Sequence, residues 1–255
     1  YMIISGIANV VLNIVFVGAF QMTVSGVALA TVLSQCTSAI LVMTALLRSN
    51  NCIRLELKKL KLHWDMLRKI ISVGIPAALQ MAVTSFSNVF VQSYINHFGD
   101  NCMSGWTTYS KVDQLIFLPM QSIALASTTF VGQNLGKNQP ERARKGVRNA
   151  LLIALASTAI MMIPVIIFAA PVVRFFNAKP EVVEFGTVFL HWITPFYLLC
   201  VFNQVYSGAL RGAGNSKVPM IIMLTSFVAF RQVYLFIMAR VCNEILPIAM
   251  GYPAG

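Results

Sequence analysis

The chain has 255 residues, of which 57% are hydrophobic and 11% charged, with a formal net charge of +11. A soluble domain carries about 25% charged residues, and a chain this apolar has too little polar surface to face water, so a soluble globular domain is excluded. The basic excess raises nucleic acid as a partner, but its distribution along the chain accounts for it in another way.

A bilayer-crossing helix takes about 20 apolar residues. Residues 1–47 contain no Asp, Glu, Lys or Arg. That run is too long for one helix and suits two, so a shortened span is expected over 1–17, a turn at 18–23, and a second span over 24–47. The chain opens on Tyr1 inside this run, with no basic segment and cleavage site ahead of it, so no signal peptide is read. That start, and the ending Tyr252-Pro253-Ala254-Gly255, read as an excerpt of a longer protein. Residues 51–66 alternate apolar positions with Arg54, Lys58, Lys59 and Lys61, which predicts an interfacial linker rather than a span.

Charge-free runs predict further spans at 70–99, 114–136, 149–173 and 185–210, and a last one at 218–241 is interrupted by Arg231 and Arg240. Between two of these, Asn138-Gln139-Pro140-Glu141 reads as a capped helix start with proline at its first position. Seven hydrophobic segments in all give an all-α, polytopic transmembrane helical bundle.

If the connections alternate sides, one side collects Arg48, Arg54, Lys58, Lys59, Lys61, Arg68 and Lys69, then Lys137, Arg142, Arg144, Lys145 and Arg148, then Arg211 and Lys217. The other side holds far fewer, among them Arg174 and Lys179. The basic side is therefore cytoplasmic, in a multi-pass protein of the cytoplasmic membrane. Its basic loops suit the anionic surface of the lipid bilayer. Most of the positive charge is explained, and no nucleic-acid partner is implied.

No HExxH, GxSxG or P-loop occurs, and the histidines His63, His97 and His191 lie far apart. Catalytic and metal roles are therefore both read as none, and the chain is not read as an enzyme. Cys36, Cys52, Cys102, Cys200 and Cys242 form no CxxC pair and read as small buried apolar residues. The prolines Pro76, Pro119, Pro164 and Pro195 interrupt spans, and bent helices suit a carrier that rocks between two states.

Polar side chains within spans carry the functional information, because lipid does not solvate them. Gln80, Thr84, Asn88 and Gln92 recur every four residues and fall near one helix face. They read either as the wall of a polar cavity or as interhelical hydrogen-bonding glue. Asp113, with Lys111 and Tyr109 before it, stands at the start of the fourth span. It is a candidate proton or cation site, or half of a structural pair. Tyr197, Asn203, Gln204 and Tyr206 offer aromatic and amide groups for a cationic ligand, or packing. Arg231, beside Gln232 at mid-span, reads as a gating residue or as a partner for helix-end carbonyls or a carboxylate.

Two glycine motifs, Gly132-Gln133-Asn134-Leu135-Gly136 and Gly208-Ala209-Leu210-Arg211-Gly212, read as helix ends or close-packing points. With Val131 before it and Glu141-Arg142-Ala143 after it, the first resembles the signature that follows the eighth span of the multidrug and toxic compound extrusion (MATE) family. The second, running on to Ala213-Gly214, resembles the signature after the tenth. Ile71 to Pro76 and Val24 to Thr31 are similar to the starts of the seventh and sixth spans.

The resemblance covers essentially the whole chain in family order. It implies helices five to eleven of a twelve-helix, two-lobe carrier. Residues 1–47 would be the last two helices of the N-lobe, 48–66 the cytoplasmic inter-lobe linker, and 67–255 most of the C-lobe. The implied activity is a secondary antiporter, monomeric when complete. It would export small-molecule organic cations or drugs in exchange for H+ or Na+, with no further cofactor. A lipid-linked oligosaccharide flippase of the related superfamily is the alternative. The family's sodium-driven branch carries carboxylates where this chain has Thr84 and Cys200, another branch carries its key aspartate on helix one, outside this chain, and Asp113 is the ion-coupling candidate within it. Gln80, Thr84, Asn88, Tyr197 and Asn203 are the substrate-binding candidates. Arg231, Gln133 and Asn134 are the structural or gating candidates.

Overall fold

The computed structural model describes residues 2–48, 61–241 and 245–253, and the described residues form helices and no strand. Cys52, Cys242 and most of the expected linker lie outside them. The chain divides into two compact units, Tyr1–His63 and Trp64–Gly255.

In the first unit, α1 (Met2–Asn13) continues as a π-helical tract, Ile14–Ala19, and α2 (Val24–Arg48) packs against α1. The turn between them uses Gln21 at φ +51°, within the turn expected at 18–23. Gly26 sits where a Cβ would lie 2.7 Å from Met22 Cβ. The two helices are joined by polar contacts. Ser5 donates to the Ser34 carbonyl at 2.8 Å and Asn9 to Ser34 Oγ at 3.0 Å, while within α1 Asn13 donates to Asn9 Oδ1 at 3.0 Å. In hydrocarbon, such bonds replace the hydrophobic drive that lipid removes.

The second unit contains α3 (Trp64–Asn96), α4 (Asp100–Gly136), α5 (Pro140–Ile167), α6 (Ala169–Phe176) and α7 (Pro180–Ile193). A 3-10 turn at Thr194–Phe196 leads into α8 (Tyr197–Gly212). It is followed by α9 (Lys217–Leu224), a π-helical tract at Thr225–Phe230, α10 (Arg231–Val241) and α11 (Ile245–Ala249). Among the described residues, six helical stretches are long and apolar enough to cross a membrane: Val24–Arg48, Trp64–Asn96, Asp100–Gly136, Pro140–Ile167, Pro180–Gly212 and Lys217–Val241. The remaining expected span, at Ile3–Ala19, is about 25 Å long at 1.5 Å per residue, a little short of a hydrocarbon core about 30 Å thick.

α4 is the spine of this unit and packs against α5, α7 and α8. Its contact with α8 needs two glycines. A Cβ on Gly208 would stand 2.5 Å from the Ala124 carbonyl oxygen, and one on Gly212 would stand 2.4 Å from that of Thr128. Thr128 Oγ1 also donates to the Gly208 carbonyl at 2.8 Å. The second glycine motif therefore brings two helices of one unit together. The buried core runs from Val91 and Ile95 through Trp106, Tyr109, Val112 and Ile116 to Phe189, Leu190, Val201 and Leu235. The outer surface is also apolar, with Leu79, Phe86, Leu125, Ile160, Leu199 and Ile221 exposed. That suits a protein whose solvent is acyl chains.

Three expectations are corrected. α4 begins at Asp100, so Asp113 is not at the start of its span. It lies about 20 Å along the helix at 1.5 Å per residue. The charge-free window stopped at Asp113 because of its own charge, while the helix runs through it. Pro140 does occupy the first position of α5, but Gln139 makes no side-chain capping bond. The basic segment there is the opening of the same long helix. Cys36 is exposed rather than buried, whereas Cys102 is buried.

Candidate functional site: a tyrosine-caged carboxylate and a buried guanidinium

Asp113 is 6% exposed and lies in the interior of α4. Tyr109, one turn before it, projects from the same face. The Asp113 Oδ1 atom accepts a hydrogen bond from the Tyr197 hydroxyl at the start of α8. The Tyr109 hydroxyl is 2.8 Å from that of Tyr197 and 3.5 Å from Oδ1. Each phenol has one hydrogen to give. Tyr197 gives its own to the carboxylate, so Tyr109 gives its own to Tyr197. The other carboxylate oxygen, Oδ2, accepts from the Tyr252 hydroxyl at 2.9 Å.

An aromatic wall closes around this group. Trp106 lies 5.0, 5.3 and 5.4 Å from the rings of Tyr109, Phe189 and Tyr252, and Phe117 lies 5.3 Å from Tyr197. Among the described residues, no Lys or Arg forms an ion pair with Asp113.

Arg231, the first residue of α10, is 0% exposed. Its Nε donates to the Gly251 carbonyl at 2.8 Å and its Nη2 to the Tyr252 carbonyl at 2.9 Å. Its Nη1 donates to Asn88 Oδ1 at 2.9 Å and to Ser87 Oγ at 3.2 Å. The guanidinium also lies over the rings of Phe227 and Tyr252, at 4.8 and 5.1 Å. A buried cation is tolerated only when carbonyls, hydroxyls and π faces replace its water. Gln232 adds a bond from its side-chain amide to Ser87 Oγ at 3.0 Å.

The two groups share one intermediary. Tyr252 presents its hydroxyl to Asp113 and its backbone carbonyl to Arg231. One polar chain therefore runs Tyr109–Tyr197–Asp113–Tyr252–Arg231–Asn88, through α4, α8, the segment after α11, α10 and α3.

Of the residues singled out from the sequence, this network holds Tyr109, Asp113, Tyr197, Arg231 and Asn88. The others lie elsewhere. Gln80 is buried, with Oε1 unpartnered, and Thr84 Oγ1 donates to the Gln80 carbonyl at 2.9 Å. Gln92 is exposed. Asn203 is exposed, donates to Met223 Sδ at 3.4 Å and accepts from Ser207 at 3.1 Å. Gln133 is exposed and Asn134 is buried, with its side chain bonded to the Phe130 carbonyl at 2.7 Å. Both close the end of α4, where Lys137 and Gln139 donate to their carbonyls and Asn138 takes φ +55°.

Ser87 and Tyr252 were not singled out from the sequence. Ser87 belongs to the truly buried face of α3, which reads Gln80, Ser87, Val91 and Ile95. Steps of four residues drift by about 40° each on a 3.6-residue helix, so a list built on them leaves that face by Gln92. The spacing of Tyr109 and Asp113, four residues apart, was the signal for the cage.

Two open grooves lie away from this network. One, of about 480 Å³, is lined by Arg174, Glu184, Thr187, His191 and Trp192. The other, of about 540 Å³, follows α4 past Ser122, Thr129, Phe130 and Gln133.

A family model described as MatE matches residues 76–237. The chain is 27% identical over 225 residues to the probable multidrug resistance protein YpnP of Bacillus subtilis, covering 88% of this chain and 50% of that protein. It is 29% identical over 248 residues to the probable multidrug resistance protein NorM of Thermotoga maritima, covering 94% and 53%. The chain thus spans about half the length of the curated relatives it matches. Its fold superposes, with a TM-score of 0.90 at 20% identity, on an outward-facing multidrug resistance MATE family transporter of the MOP superfamily, covering 99% of this chain and 57% of that one.

Proposed function

The chain belongs to the MatE family of multi-pass membrane transporters, and on that premise we propose that it forms the greater part of one lobe, with two helices of the other, in a secondary antiporter driven by protons. The exported substrates are small organic cations or drugs, and Asp113 is the group that takes up and releases the coupling proton. The single observation that carries this reading is the buried carboxylate of Asp113, held on both oxygens by phenolic hydroxyls with no paired cation among the described residues.

A carboxylate in such a setting, with neutral neighbours and no paired cation among the described residues, takes up one proton to become neutral without stranding a buried partner charge. Sodium asks for more. A hard cation of that kind is held by several oxygen ligands, commonly including carboxylates and carbonyls. Here the hydroxyl hydrogens point at the carboxylate, and the described residues contain no cluster of three or more acidic, histidine or cysteine groups. Thr84 and Cys200 add no carboxylate. These observations support H+ over Na+.

In the proposed topology the basic connections face the cytoplasm of a cytoplasmic-membrane protein. The carrier works as a monomer, with lipid as its main surroundings.

The flippase alternative is disfavoured. Pairing a pyrophosphate calls for several free cations within the membrane, whereas Arg231 is committed to two carbonyls, an amide and a hydroxyl and Arg240 lies over Phe236 at 4.4 Å.

The test reconstitutes the complete carrier in sealed vesicles and follows a fluorescent organic cation. A proton gradient alone is expected to drive its movement. Movement driven by a sodium gradient and indifferent to pH would overturn the choice of ion. Movement under neither gradient, for any cation of a chemically varied set, would overturn the antiporter reading.

A further inference from the structure

We propose that Tyr252 is a positioning residue that ties proton exchange at Asp113 to the hold of Arg231 on the segment after α11. This inference rests on reading Asp113 as the exchanging group.

The segment is gripped from two sides. Arg231 holds the carbonyls of Gly251 and Tyr252, and Asp113 holds the Tyr252 hydroxyl. Its backbone is turned tightly, with Gly251 and Tyr252 donating to the Ile248 and Ala249 carbonyls at 3.0 Å each. Gly251 is closely packed: a Cβ there would lie 2.5 Å from Leu235 Cδ2 on α10 and 3.0 Å from the Ile248 carbonyl oxygen. Arg231 is anchored in turn to α3 through Ser87 and Asn88. Among the described residues, Tyr252 is thus the one whose side chain touches the carboxylate while its own main chain touches the guanidinium.

The guanidinium keeps its charge at all working pH values, so only the Asp113 end of this strap can change state. A proton that binds Oδ2 forms an O–H bond there and neutralises the carboxylate. The Tyr252 hydroxyl then faces a donor instead of a charged acceptor, and its hydrogen must turn away. One of the two grips on the segment weakens while the Arg231 grip stays. Loss of the proton restores the charged acceptor and re-forms the strap.

The groups facing Asp113 are Tyr109 on its own helix, Tyr197 and Cys200 on α8, and Tyr252 with Arg231 behind it. Tyr94 of α3 packs on the same core. Arg148 of α5, Arg174 of α6, and Glu184 and His191 of α7 are exposed.

The test uses the complete carrier and two independent readouts. The first compares Tyr252→Phe with the parent. This change keeps the ring over Arg231 and both carbonyls and deletes only the phenolic donor. The carboxylic infrared band that Asp113→Asn removes is titrated, together with the pH profile of transport. A lost donor to the ionised form is expected to move both midpoints to higher pH by about one unit, and unmoved midpoints would overturn the inference. The second readout needs no Tyr252 variant. Backbone hydrogen exchange in the segment around Gly251, corrected for the intrinsic pH effect, is expected to quicken in the parent as Asp113 protonates. In Asp113→Asn it is expected to stay quick at every pH. Protection independent of both pH and this substitution would overturn the inference even if Tyr252→Phe failed to fold. The Asp113 reading fails separately, if Asp113→Asn keeps full proton-driven transport.

Discussion

Asp113 and Arg231 do not touch, yet each holds one end of Tyr252, the carboxylate through a phenolic hydroxyl at 2.9 Å and the guanidinium through a backbone carbonyl at 2.9 Å. Two opposite charges buried within one membrane unit are thereby kept apart but joined. A direct ion pair would lock both charges. The spacing by a neutral residue leaves the carboxylate free to change its charge, which is what an exchanging group needs.

Arg231 also has a structural load. Removing it strands the Gly251 and Tyr252 carbonyls and the Asn88 amide oxygen, and each buried group left without a partner costs about 1–3 kcal/mol. Arg231→Met is expected to destabilise the protein by about 3 kcal/mol or more. Arg231→Lys is expected to recover only part of that, because one ammonium does not reproduce the fork. Thermal unfolding of the purified protein in detergent measures both. Stability unchanged by Arg231→Met would contradict the bonding described.

The α4–α8 contact gives a prediction independent of any charge. Gly208→Ala and Gly212→Ala place a Cβ at 2.5 and 2.4 Å from backbone oxygens of α4, where no flexible side chain can yield. Each is expected to cost about 1–3 kcal/mol by overpacking, seen as a lower unfolding temperature. Gly136→Ala, at a position with open space around it, is the control and is expected to have a much smaller effect.

Much of this fold is legible in the sequence, since lipid imposes a simple rule: long charge-free runs become helices. The rule fails where a helix carries its own functional charge. Asp113 set the start of the expected fourth span, although α4 runs on both sides of it. The rule also gives no account of tertiary partners. Tyr252 is 139 residues from Asp113 and lies beyond the last expected span at 218–241, so nothing local marks it. Arg231 was legible because a mid-span arginine demands partners, and helix-end carbonyls are among those it found. The α3 stripe was half legible: Asn88 turns inward and Gln92 does not, because counting by fours overshoots the helical repeat.

The proposed orientation of the chain rests on its basic connections and is open to labelling. In a functional cysteine-free background, a cysteine at exposed Arg144 is expected to react with a membrane-impermeant maleimide only after the cells are opened. A cysteine at exposed Lys179 is expected to react in intact cells. The opposite pattern would invert the topology and place the basic loops outside, against the positive-inside rule.

The central claim is that Asp113 carries the exchanged proton, and Asp113→Asn tests it with almost no change in shape. In sealed vesicles under an imposed proton gradient, the complete carrier with Asp113→Asn is expected to lose gradient-driven transport of the organic cation while still binding it. Transport at the parental rate, with its pH dependence intact, would contradict the account.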